Sequence, residues 1–81
     1  MTLDDAIADL QTRIMAVCPS AVIRITRVSP EEARVRAYAP ADAADPIRDA
    51  TRERTIELLT SEGLDLQVLP YDIATDLPPE S

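Results

Sequence analysis

The sequence predicts a two-layer α+β sandwich, in which a three-stranded sheet carries two helices on one face in the order helix–strand–strand–helix–strand. Three observations predict it. Residues 21–39, AVIRITRVSPEEARVRAYA, alternate strand formers with polar residues on both sides of a Ser-Pro turn and read as a β-hairpin. A segment with helical spacing of apolar residues lies on each side of that hairpin. Residues 64–71, LDLQVLPY, alternate again as a third strand. Two amphipathic helices can cover one face of such a sheet, and the other face is left bare.

The first helix is expected over residues 3–17. Thr2 is placed to cap it, and Asp4 and Asp5 fall in the first turn, where the helix dipole favours acids. Leu3, Ile7, Leu10, Ile14 and Val17 recur along one stripe. Asp9 and Arg13 form an i,i+4 pair on the polar side. Pro19 ends the helix by disfavouring helical geometry at Cys18. Cys18 reads as small-apolar packing, because the chain has no His to activate it.

The hairpin arms span residues 22–28 and 33–39. Side chains alternate across a strand, so Ala21, Ile23, Ile25, Ala33, Val35, Ala37 and Ala39 form an inner set. Val22, Arg24, Thr26, Val28, Arg34, Arg36 and Tyr38 form an outer set, with Arg27 nearby. A register pairing Ile25 with Ala37 and Ile23 with Ala39 keeps the apolar set together. The connection through Ser29-Pro30-Glu31-Glu32 has no Gly or Asn for a primed two-residue turn, so a longer loop is expected. The small inner alanines call for a helix close over the second arm.

A linker follows, and then Asp45-Pro46 reads as an N-cap Asp with Pro at the first helical position. The second helix is expected to run to about Glu62, with Ile47, Ala50, Thr51, Leu58 and Leu59 on its core stripe. Arg54 and Ile56 break that pattern. The simplest reading of Arg54 lays its stem along the core and its head on a rim acid. Gly63, the only glycine, stands where a left-handed C-cap is needed. In the third strand Leu64, Leu66 and Val68 face inward, while Asp65, Gln67, Leu69 and Tyr71 face out. Pro70 marks a strand end or a sheet edge. The strand lies beside the second arm, in parallel, or beyond the first. Residues 1–71 are expected to form one domain, and residues 72–81 a flexible tail.

Composition narrows the function. The chain has 81 residues, a net charge of −7, no His, one Cys and no Phe or Trp. Without Phe or Trp, an aromatic-lined ligand pocket is not expected. One Cys forms no internal disulfide, and no apolar run approaches a membrane span, so a cytoplasmic protein is expected. A single glycine rules out phosphate-binding and dinucleotide loops. The acidic groups Asp4/Asp5/Asp9, Asp42/Asp45/Asp49 and Asp72/Asp76 lack the convergent spacing of a cation loop. No catalytic, cofactor or metal residues are assigned, and an enzyme is not expected.

The sign of charge reverses in the hairpin. Every cation is Arg, and four of the eight stand in it, namely Arg24, Arg27, Arg34 and Arg36. The bare face should display Arg24, Arg34, Arg36, Tyr38, Gln67, Leu69 and Tyr71. It is the expected working surface of a non-catalytic protein-interaction module, which would bind a second copy of the chain or another protein. Nucleic acid or an anionic ligand on the same face is the alternative, opposed by the net negative charge.

Overall fold

The computed structural model describes residues 1–75. Its main elements are α1 (Leu3–Val17), β1 (Val22–Ser29), β2 (Glu32–Ala39), α2 (Ala44–Glu57) and β3 (Asp65–Asp72). They form the expected α+β architecture, with a mixed sheet in the order β1-β2-β3. β2 is central, antiparallel to β1 and parallel to β3. The shortest dimension, 14 Å, accommodates one sheet and one helical layer.

α1 starts as expected. The Asp5 amide donates to Thr2 Oγ1 at 3.1 Å, and the Thr2 amide donates back to the Asp5 carboxylate at 3.3 Å. This reciprocal box satisfies amides that the first turn leaves free. Leu3, Ala6, Ile7, Leu10 and Ile14 are buried. Val17, expected on the same stripe, is 39% exposed. It lies about 60° round the helix from Ile14, at the last residue before the chain turns away. Cys18 is buried, with its sulfur 3.6 Å from Ser20 Oγ.

The hairpin corrects two expectations together. Ile25 pairs with Val35 and Ile23 with Ala37, two residues from the anticipated register. The strands end at Ser29 and Glu32, so the connection is only Pro30-Glu31. Neither Pro30 nor Glu31 has positive φ, so the turn is not a primed one. The strain of a short unprimed turn is taken up by an irregularity between Arg27 and Ser29, where Val28 is extra on β1. Because the slip is an even number of residues, both face assignments survive. The inner row Ala33, Val35, Ala37 and Ala39 is essentially inaccessible.

After Pro40 a single 3-10 turn, Ala41–Ala43, leads into α2. The helix therefore begins one residue before Asp45, with Ala43 at its N-cap and no side-chain cap. Asp45 and Pro46 sit inside the first turn. Proline is harmless there, because its missing amide has no helical partner. Ile47, Thr51 and Leu58 are buried. The Thr51 hydroxyl is satisfied by donating to the Ile47 carbonyl at 2.9 Å. Over Leu58–Glu62 the helix widens into a π turn, and Leu59, expected on the core stripe, is 53% exposed. Gly63 closes it at φ 68°, and the Gly63 and Leu64 amides both donate to the Leu58 carbonyl.

Arg54 ties the two helices. Its Nε donates to Asp9 Oδ2 at 2.9 Å, the same oxygen that Arg13 Nε reaches at 2.9 Å, and its Nη1 pairs with Glu57. The hydrogen bond from Arg13, aided by Arg54, holds Asp9 below the ordinary carboxylate range against an opposing effect of burial. β3 buries Leu64 and Leu66 and packs Val68 on the core. It is an edge strand, which explains how Pro70 is accommodated within it. Asp72 still belongs to β3, and the Ile73 amide donates to the Ala39 carbonyl at 3.0 Å. Most of the expected tail, residues 76–81, lies outside the described residues.

Two predictions follow from these contacts. A Cβ at Gly63 would meet no atom within 4 Å, so the cost of substitution is conformational alone. Gly63→Ala should lower unfolding free energy by about 1 kcal/mol, and Gly63→Asn by less, because Asn tolerates left-handed geometry. Chemical denaturation measures both, and an unchanged midpoint for Gly63→Ala would remove the cap from the account. Asp9 titrates lower in the folded chain than its unfolded value of about 3.9. Its stabilising contribution is thus complete above that value and is lost as pH falls through the depressed one. Asp9→Asn should cost stability at neutral pH and flatten the acid limb of the stability profile, as followed by denaturation between pH 2 and pH 7.

Candidate interaction face

The helices lie on the inner side of the sheet, and register sets the order of the outer side. Its rows are Val22–Tyr38–Tyr71, then Arg24–Arg36–Leu69, then Thr26–Arg34–Gln67, and last Glu32–Asp65. Successive rows are about 6.7 Å apart, twice the strand rise. The face therefore passes from aromatic, through basic, to acidic. The structure brings together all seven residues singled out from sequence. Arg34 and Gln67 are exposed, while Arg24, Arg36 and Leu69 are half-buried.

Tyr38 departs from expectation. It is 3% exposed, although it points to the outer side. It occupies the central strand between Val22 and Tyr71 and stacks on the Tyr71 ring, with centroids 5.3 Å apart and planes 22° from parallel. Tyr71, at 38% exposure, is the aromatic that solvent reaches. Arg27 also departs, because it turns to the helical side and meets Asp4 of α1 at 2.5 Å.

The arginines divide sharply. Arg13, Arg27, Arg48, Arg52 and Arg54 each meet a carboxylate. Arg24, Arg34 and Arg36 meet none among the described residues, in a chain with nearly twice as many acids as cations. Arg24 and Arg36 stand directly opposite each other. Their Nε atoms are buried and have no hydrogen-bond partner, although Arg36 Nη2 donates to Thr26 Oγ1 at 3.2 Å. Like charges facing across strands oppose folding, and a buried donor without an acceptor adds to that cost.

Glu32 and Asp65 were not singled out from sequence. They face each other at the hairpin end of the same surface, and neither takes part in an ion pair among the described residues. Alternation along β2 and β3 was the signal that could have found them. Elsewhere a shallow groove of about 370 Å³ lies between the α1 N-terminus and the hairpin tip. Its lining of Thr2, Leu3, Asp4, Arg27, Val28, Ser29 and Pro30 holds no Cys, and its one carboxylate already pairs with Arg27. No group of three or more Cys, Asp or Glu among the described residues is arranged to hold a metal ion. No helix there is long and apolar enough to cross a membrane.

Comparison with protein-family models, curated proteins and solved structures finds no match to this chain.

The unpaired arginines lead to a stability prediction. Arg36→Met keeps an unbranched stem, removes the charge opposite Arg24 and removes the orphaned Nε. It should raise unfolding free energy by about 0.2–1 kcal/mol, whereas Arg54→Met, which breaks the tie between helices, should lower it. Urea denaturation of both variants checks the contrast. A loss of stability in Arg36→Met would mean that the guanidinium supports the fold.

Proposed function

We propose that the protein is a cytoplasmic, non-catalytic interaction module that binds a carboxylate-bearing partner protein on its outer sheet face. The observation that carries this reading is the set of three arginines without acids, two of them with buried, unpartnered Nε atoms. A guanidinium is a rigid fork that matches a carboxylate bidentately. Here the forks stand on adjacent strands of a sheet, so their spacing is set before a partner arrives. Arg and Tyr are also residue types that dominate interface energetics.

The geometry favours a foreign acidic surface over a second copy on this face. A two-fold packing centred on the arginine rows lays arginine over arginine. Only a displaced packing would bring the Glu32–Asp65 row of one copy over Arg34 or Arg36 of the other, and it would bury less of the face. Nucleic acid is opposed on two grounds. The net charge repels polyanions, and Tyr38, an aromatic of the kind on which bases stack, is buried and already stacked on Tyr71.

Fluorescence anisotropy with a glutamate-rich peptide and with single-stranded DNA, each over a salt series, separates these readings. The proposal expects the peptide to bind, Arg24→Gln and Arg36→Gln to weaken it several-fold, and Arg48→Gln on α2 to leave it unchanged. Binding of DNA alone, with a steep loss of affinity in salt, would transfer the face to nucleic acid.

A further inference from the structure

We propose that a second copy of the chain joins through β1, the two β1 strands pairing antiparallel about a two-fold axis normal to the sheet at Ile25. This does not rest on the outer-face reading, since it uses the strand edge and the helical side.

The two sheet edges differ. β3 carries Pro70 within its span, which removes a backbone donor from the middle of that strand. β1 has no proline in its eight residues and is rich in β-branched side chains, and its outer edge pairs with no strand among the described residues. An uncovered edge of this kind is a template for another strand.

The inner side of β1 is also left incomplete. Ile23 and Ile25 are only half-buried, while their β2 partners Ala37 and Val35 are inaccessible. The flank of α1 above them is equally bare. At about 100° per residue, Asp4, Ala8, Gln11 and Met15 fall on one stripe, away from Asp9, which faces α2 through Arg54. Asp4 reaches down to Arg27 of β1, so this stripe overlooks the β1 edge. Met15 on it is 39% exposed. Strand edge, half-covered isoleucines and helix flank together form one ledge that no element among the described residues closes.

Charge, the bulge and the start of β1 at Val22 together select the register, since an axis at Ile23 would leave only residues 22–24 in the ladder. Directly opposed antiparallel residues share a face, so the axis must pass through a residue paired with its own copy. Centred on Arg24, it would set two arginines opposite each other. Centred on Thr26, it would draw the bulged Val28 into the ladder. Centred on Ile25, it pairs Ile25 with the partner's Ile25, Arg24 with the partner's Thr26, and Ile23 with the partner's Arg27. No like charges then meet, and the ladder ends where the bulge begins. The product is a six-stranded sheet with four helices on one side and both arginine faces on the other.

Sedimentation of the wild type over a concentration series should show a dimer. Mild oxidation with oxidised glutathione should link Ile25→Cys into a covalent dimer, and the wild type, whose Cys18 is buried, should not link. Thr26 is exposed and would face the partner's Arg24, so Thr26→Glu should tighten the dimer several-fold and Thr26→Arg should loosen it by a similar factor. Arg36→Gln should leave the mass unchanged, which keeps the outcome separate from peptide binding on the outer face. A wild type that stays monomeric at every concentration overturns the proposal. A folded Ile25→Cys variant that does not link overturns it too, as does a dimer that responds in the same direction to both charges at position 26.

Discussion

The structure depends on the close approach of the helical layer to the sheet, α1 over the inner row of β2 and α2 against β3. Ala33, Val35, Ala37 and Ala39 are all essentially inaccessible, and three of the four are alanine. A chain with no Phe or Trp has no large rings with which to span a wider gap. The helices therefore come down onto small side chains, and Leu10, Ile14, Ile47 and Leu58 fill the space between. Interiors are packed at crystal-like density, so the small side chains of this row let α1 lie close to the sheet. The link from Arg54 to Asp9 then fixes the helices to one another at the rim.

Among the described residues no helix or strand lies over the other side of the sheet, and that side is treated differently from the rest of the surface. Elsewhere each arginine is matched to an acid. On the outer face Arg24 and Arg36 oppose each other, Arg34 stands beside them, and Glu32 and Asp65 face each other at the far end. Each of these pairings works against folding. Local choices that conflict with stability concentrate where a surface has another task. The stacked Tyr38 and Tyr71 close one end of the patch.

Much of this was legible in the residues. Alternation assigned the β2 side chains from Ala33 to Ala39 to their correct faces, Thr2 and Asp5 announced the helix start, and Gly63 marked a left-handed stop. The parallel position of β3 was not legible, because strand pairing depends on a crossover that no single segment encodes. The hairpin register was missed by two residues, because a bulge at Val28 leaves alternation on either side of it unbroken. Leu59 stood at the rim of the expected stripe, about 120° round the helix from Ile47, and the structure leaves it exposed. Of the candidate face, its membership was readable but its state was not. The stacking of Tyr38 on Tyr71 joins two strands, and the lack of acids around Arg24 and Arg36 among the described residues appears only once their carboxylates have been placed.

The central claim is that the outer-face arginines are free to receive carboxylates while the others are already engaged. The most direct test follows the Nε–H resonances of all eight arginines by NMR while a glutamate-rich peptide is added. The account predicts that Arg24, Arg34 and Arg36 shift together and saturate, and that Arg13, Arg27 and Arg54 stay in place. Shifts confined to Arg48 and Arg52 on α2, or spread evenly over all eight, would contradict it.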